Sequence, residues 1–204
     1  MTTTLYHLTH IHNLPGIAKR GLLCRKRIQA QGVPYLDLSD PSCQARRTHK
    51  YLGGTALDLQ GYVPLFLNPR NPMLYRLLRT LEEWGEAGYL AILEISFQPA
   101  SWATSLIADG IASSGETQLF HARDPRVVEA LDWNVIQEDS WAKLPRNERR
   151  KTMAEVLVRG GLKQRHIKKV WVQQPSALQI LAGELSPSDL SCCQVDSQNT
   201  LFYP

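Results

Sequence analysis

The run Gly88-Tyr89-Leu90-Ala91-Ile92-Leu93-Glu94-Ile95-Ser96-Phe97 constrains the fold more than any other stretch of the chain. It is largely apolar and β-favouring at its end, the pattern of a strand lying inside a sheet and not at its wetted margin. Around it the chain reads as further strands over 4–10, 62–67, 167–172 and 200–203, with a short one over 117–120. Helices are predicted between them. One starts at Asn13-Leu14-Pro15, with Asn as cap and Pro in the first turn, and ends at Gly21. Others span 73–84, 125–131 capped by Asp124, 147–158 with Met153, Val156 and Leu157 on one face, and 176–185 capped by Ser176. The polar stretch 29–49, broken by Pro34 and Pro41, reads as a loop with one short helix near 41–50, and Gly53-Gly54 as a second break. Strands interleaved irregularly with helices indicate an α+β domain in place of a repeated βαβ winding.

A length of 204 residues with 43% hydrophobic content suits one domain, 1–204, with a sizeable core. No run of about 18 apolar residues occurs, and the first residues lack the basic-then-apolar layout of an export signal, so a cytoplasmic location without a membrane span is expected. Cys24, Cys43, Cys192 and Cys193 form no C-x-x-C pair, which predicts free thiols and no metal site. The net charge of +4 says less than its distribution, since basic residues cluster at 19–27, 46–50, 146–151 and 163–169. Each cluster taken singly reads as a solvated face. Signatures for dinucleotide-binding, P-loop, zincin and serine-hydrolase chemistry are absent. What remains is a set of polar residues beside structural punctuation: His7, Thr9, Arg46, Arg47, Arg70 and Glu155.

Six blocks place those residues in a recognisable order. They are Tyr6-His7-Leu8-Thr9-His10 with Asn13-Leu14, Ala45-Arg46-Arg47, Gly53-Gly54 with Tyr62-Val63-Pro64, Asn68-Pro69-Arg70-Asn71-Pro72-Met73-Leu74-Tyr75, Leu131-Asp132-Trp133, and Ala154-Glu155-Val156-Leu157-Val158. A weaker match runs through 167–172 and Phe202-Tyr203. In this order the blocks resemble the DarT-type DNA ADP-ribosyltransferase toxins. The resemblance implies an ADP-ribosyltransferase fold, a split antiparallel β-sandwich with helices around an NAD cleft. It also implies transfer of ADP-ribose from NAD to a base of single-stranded DNA, thymidine in the main branch and guanine in another, and a DarG-type macrodomain antitoxin that removes the modification. Carried over by position, Arg47 and Glu155 are the expected catalytic pair. His7, Thr9, Asn13, Leu14 and Arg47 are expected at NAD, and Arg70, Met73 and Arg149 at DNA.

The chemistry suits these roles. Cleaving the bond between nicotinamide and ribose builds positive charge on the sugar, which a carboxylate can favour, and the same carboxylate can take a proton from the attacking base. An arginine cannot accept that proton, but its planar fork suits a pyrophosphate or orients a base. Taken alone, the residues also allow blander readings: Glu155 as a helix-surface glutamate, His7 as a half-buried histidine, Arg47 in a surface salt bridge, and Arg70 bracing a turn. Trp84, Trp102, Trp133, Trp141 and Trp171 are expected mostly in the core, with none assigned to DNA. Two departures from the family stand out. The strand before Arg70 ends Leu65-Phe66-Leu67-Asn68, with fewer aromatics than the family carries, and Arg47 is followed quickly by Gly53-Gly54. RNA or protein as acceptor, and an idle binding module of the same fold, are the alternatives.

Overall fold

The computed structural model describes residues 3–97, 104–138 and 140–203, so Trp102 lies outside the described residues. Among these, the strands are β1 (Thr3–His10), β2 (Leu22–Leu23), β3 (Lys50–Leu52), β4 (Thr55–Leu57), β5 (Tyr62–Phe66), β6 (Leu90–Phe97), β7 (Leu106–Ala108), β8 (Leu119–His121), β9 (Glu155–Arg159), β10 (Gly161–Leu162), β11 (Ile167–Val172) and β12 (Cys193–Val195). The helices are α1 (Leu14–Arg20), α2 (Arg25–Ala30), α3 (Pro41–Arg47), α4 (Pro72–Glu83), α5 (Val127–Ala130), α6 (Trp133–Ile136), α7 (Arg146–Arg149), α8 (Pro175–Glu184) and α9 (Pro187–Leu190). Eight strands form one sheet in the order β12-β11-β6-β1-β5-β9-β7-β8, while β10-β2 and β3-β4 are separate ribbons. All neighbours in the large sheet run antiparallel except β11 and β12.

Strand β6 lies inside the sheet, as its composition predicts. Ala91, Leu93 and Ile95 enter one core with Leu5, Val170 and Val172 and with Ala177 and Leu181 of α8. Leu90 and Ile92 enter a second core on the other face, with Leu8, Phe202 and the α4 residues Leu74, Leu77 and Leu81. Because both faces are covered, nearly every position of β6 is apolar. Each fully buried Leu or Ile contributes about 1.5–3 kcal/mol.

The sheet has a narrow joint. Strand β1 pairs with β6 from Thr3↔Phe97 to His10↔Leu90 but with β5 only at Tyr6↔Phe66, whereas β5 pairs with β9 from Tyr62↔Arg159 to Phe66↔Glu155. This is the split, and it separates β12-β11-β6-β1 from β5-β9-β7-β8. Pro64 sits in β5 just past the joint, where it brings no N–H to a ladder.

Several expectations need correcting. The predicted helix over 147–158 is α7, a 3-10 turn at Lys151–Met153, and then strand β9. Val156 and Leu157 are buried among β5 and β7, and a short apolar run of this kind cannot be assigned by periodicity alone. Residues 200–203 form no strand. Asp196 instead gathers the backbone N–H groups of Thr200, Leu201 and Phe202 onto its carboxylate. Asn13 makes no side-chain cap for α1, and the helix at 176–185 begins one residue earlier with Gln174 at its cap position. Gly53 and Gly54 form the tip of the β3-β4 hairpin, both at positive φ (57° and 80°), a turn most side chains resist. At 125–131 only α5 is helical, and Asp124 accepts from the Arg126 N–H. Gly21 does end α1, at φ 78°, and a Cβ there would lie 2.2 Å from the Leu162 carbonyl oxygen of β10.

Candidate active site

Among the described residues β1 pairs with β5 only at the joint, and beyond it His7, Leu8 and Thr9 form one wall of a cavity. His7 Nδ1 lies 2.9 Å from the Pro64 carbonyl oxygen. A carbonyl only accepts, so Nδ1 holds the proton and Nε2 is left as an acceptor. Burial pushes the His7 pKa below its ordinary 6.5, partly opposed by the bond to Pro64, so the ring is neutral near pH 7. Thr9 is buried, and its hydroxyl accepts from Asn13 Nδ2 at 3.0 Å. Asn13 also bonds both backbone groups of Leu36, donating at 2.9 Å and accepting at 2.7 Å. That double bond is why Asn13 does not cap its helix: its amide fastens the 33–39 segment beside the cavity. His10 is aimed elsewhere, donating from Nε2 to Glu86 at 3.1 Å and accepting the His12 N–H at Nδ1.

A second wall carries the charges. Helix α3 is started by Asp40, whose carboxylate accepts from Ser42 and Cys43 N–H, and by Pro41 in its first turn; Arg47 is its last residue. Glu155 is the first residue of β9, paired with Phe66 on one side and Ala108 on the other, and is 2% exposed. Arg47 Nη1 donates to Glu155 Oε2 at 3.0 Å, and the Ala112 backbone N–H donates to Oε1 at 3.1 Å. Isolated buried charges cost several kcal/mol each, so the pair exists only because each ion answers the other. Arg47 Nη2 is also buried, and it has no hydrogen-bond partner among the described residues. It is a donor held ready for an anion or carbonyl.

The loop that offers Ala112 is braced from three directions. Ile111 N–H donates to Arg150 O, Thr117 Oγ1 donates to Ile111 O at 2.8 Å, and Lys50 Nζ donates to Ser114 O. Burial and then the Arg47 charge pull the Lys50 pKa below its usual value, with Glu155 opposing. Lys50 and the Ala112 N–H are missing from the sequence reading. A backbone donor leaves no side-chain signature, and Lys50 is one lysine in a basic run.

The cavity between these walls measures about 240 Å³ and is lined by His7, Thr9, Asn13, Met73, Arg47 and Glu155 among others. Six of the expected site residues therefore come together. Leu14 does not join them: its side chain is 3% exposed in the core and lines a separate cavity behind α1. Arg70 and Arg149 are also off the cavity wall, stacked over the rings of Tyr203 and Trp141 respectively. Among the described residues no cluster of His, Cys, Asp or Glu could hold a metal ion, the four cysteines are free thiols, and no helix is long and apolar enough to cross a membrane.

Residues 6–203 match the family model described as "ssDNA thymidine ADP-ribosyltransferase, DarT". This chain belongs to the DarT family. A Thermosipho africanus DNA ADP-ribosyl transferase-DNA ADP-ribosyl glycohydrolase fusion protein is 31% identical over 172 residues, covering 82% of this chain and 42% of that protein. The chain thus spans less than half of the fusion relative. A Thermus aquaticus DNA ADP-ribosyl transferase is 32% identical over 164 residues, 77% of this chain and 69% of that one. In three dimensions the chain resembles Thermosipho africanus DarTG in complex with ADP-ribose, with a TM-score of 0.80 and 26% identity, covering 99% of this chain and 52% of that one. It also resembles Thermus sp. 2.9 DarT in complex with ADP-ribosylated ssDNA, with a TM-score of 0.79 and 25% identity, covering 98% and 96%. The mixed helix-and-sheet architecture, with its large antiparallel sheet, is therefore the DarT fold.

Proposed function

We propose that this chain is an NAD-dependent DNA ADP-ribosyltransferase that modifies thymidine in single-stranded DNA, and that it is the toxin of a toxin-antitoxin pair. The observation that carries the reading is the buried Arg47–Glu155 pair, which shares one cavity with a neutral His7 and has an unused guanidinium N–H. NAD supplies the ADP-ribose, with nicotinamide as the leaving group. Glu155 stands where a carboxylate can favour the charge that develops on the ribose and accept the proton of the attacking thymine N–H. Arg47 holds that carboxylate in place and offers Nη2 to the substrate. His7 presents Nε2 as an acceptor for a ribose hydroxyl. Thr9 and Asn13 shape the nucleotide wall, and Met73, Arg70 and Arg149 face the DNA.

Support for the acceptor comes from the DarT family description, which names thymidine, and from the Thermus sp. 2.9 relative solved with ADP-ribosylated ssDNA. Support for the partner comes from the Thermosipho africanus relative, in which transferase and glycohydrolase are fused. A separate macrodomain glycohydrolase of DarG type would do for this chain what that second half does there.

Synthetic single-stranded oligonucleotides that differ only in one base, incubated with NAD and analysed by mass spectrometry, test the reading. The mass of one ADP-ribose should be added only where thymidine is present, and Glu155→Gln should slow the addition by about 10²–10⁴-fold. Adducts on guanine, on RNA or on the protein, with none on thymidine, would overturn it.

A further inference from the structure

Helix α4 links the cavity to an aromatic cluster that the core explains only in part, through Tyr203. Met73, in the first turn of α4, lines the cavity; Tyr75, two residues on, is 46% exposed. Its ring centroid lies 5.8 Å from Trp141 at 63° and 6.2 Å from Tyr203 at 77°. Trp141 Nε1–H donates to the Tyr203 hydroxyl at 2.6 Å, locking those two rings together. The Arg70 guanidinium lies 5.1 Å over the Tyr203 ring and that of Arg149 lies 5.8 Å over Trp141. Arg149 is aimed there by bonds from Nη2 to the carbonyls of Ala142 and Leu144.

Three rings from separate parts of the chain thus meet, half-wet, with two delocalised cations on them. Tyr203 packs against the second core, while Tyr75 stays half-exposed with a ring surface open to a ligand. Aromatic faces joined to arginines are the chemistry that binds unpaired bases, because every base has a π-face and every nucleotide a phosphate. The cluster also flanks the elements that carry the chemistry. Arg149 closes α7 six residues before Glu155, and Arg70 stands three before Met73.

We propose that Tyr75, Trp141 and Tyr203, with Arg70 and Arg149, form a stacking subsite for one nucleotide flanking the target base in single-stranded DNA. The proposal rests on the single-stranded DNA reading above. It assigns to DNA a tryptophan that the sequence alone leaves unassigned. Stacking is tolerant of base identity, so the subsite contributes affinity for the strand and leaves the choice of target base to the cavity.

The test compares the wild-type protein with Tyr75→Ala, Tyr75→Phe and Trp84→Ala, the last removing an exposed tryptophan at the far end of α4. Tyr75→Ala should raise KM for single-stranded DNA about tenfold, within the range that loss of one base stack produces. Tyr75→Phe and Trp84→Ala should stay within about twofold of wild type. An oligonucleotide series with an abasic residue at each flanking position should then show one position where the abasic substitution weakens wild type by a similar factor but leaves Tyr75→Ala unaffected. Wild type that modifies thymidine while no flanking position couples to Tyr75 would overturn the subsite and leave the functional reading intact. Wild type that modifies no single-stranded DNA would take both down.

Discussion

Along its β6 edge, β1 is paired at every position from Thr3↔Phe97 to His10↔Leu90, whereas along its β5 edge it meets one residue, at Tyr6↔Phe66. Continued past that point, the antiparallel register would set Leu8 against Pro64, and a proline offers no N–H to a ladder. The Pro64 carbonyl takes the His7 imidazole instead. On the closed edge the β6 neighbours are mostly apolar and buried. Past the joint on the open edge, His7 and Thr9 of β1 line the cavity with Arg47 and Glu155. The closed edge thus serves stability and the open one the proposed chemistry, and the two should respond to mutation in different measurements.

The sharpest contrast should come from Glu155→Gln, which keeps the shape at the open edge and removes the proposed proton acceptor. Transfer to DNA should fall by about 10²–10⁴-fold, while NAD binding, followed by calorimetry, persists. Arg47 is then left buried opposite a neutral amide, so the melting temperature should drop as well. Leu181→Ala in α8, in the core that covers the closed side, should do the opposite. Urea unfolding should show a loss of about 2–5 kcal/mol, with the activity of the folded fraction within twofold of wild type; a matching loss of turnover in folded protein would erase the distinction between the edges.

Acid should act through the joint more gently. The folded-state pKa of His7 lies below 6.5, so below that pH the unfolded chain takes up a proton that the folded chain refuses. The stability His7 contributes is therefore complete above pH 6.5 and is lost as pH falls toward the folded pKa, with a slope of at most about 1.4 kcal/mol per pH unit. His10 is shifted in the same direction by burial, so His7→Asn should flatten the measured slope without abolishing it. The smallest effect is expected from Pro64→Ala. It returns an N–H to β5 and should change stability by less than about 1 kcal/mol, leaving the Tyr6 N-terminal side of β1 unchanged in hydrogen exchange.

Much of this arrangement is legible in the sequence, though by two different routes. The β6 run declares itself through composition, because a strand covered on both faces leaves few polar positions, and β1 through its alternation. Arg47, Glu155 and His7 are joined only by the resemblance, for nothing in their own surroundings separates them from a surface arginine, a helix glutamate or a core histidine. The helix assigned to Glu155 shows the limit of local reading. Val156-Leu157-Val158 suits either element, and the pairing with β5 and β7 decides it from a distance. Asn13 is legible as a polar residue at a helix start, yet its partner Leu36 lies 23 positions away. The β3-β4 hairpin stays hidden behind its two glycines, and the Tyr75, Trp141 and Tyr203 rings are too widely separated in sequence to suggest a cluster.

The Arg47–Glu155 bond spans 108 positions of sequence. Contacts between such distant residues carry the entropy of closing a long loop and tend to form after local structure is in place. The carboxylate arrives on a strand that must slot between β5 and β7, so an N-terminal piece of the chain that ends before β9 holds only Arg47. During synthesis, therefore, the proposed transfer is expected only after β9 has paired with β5 and β7.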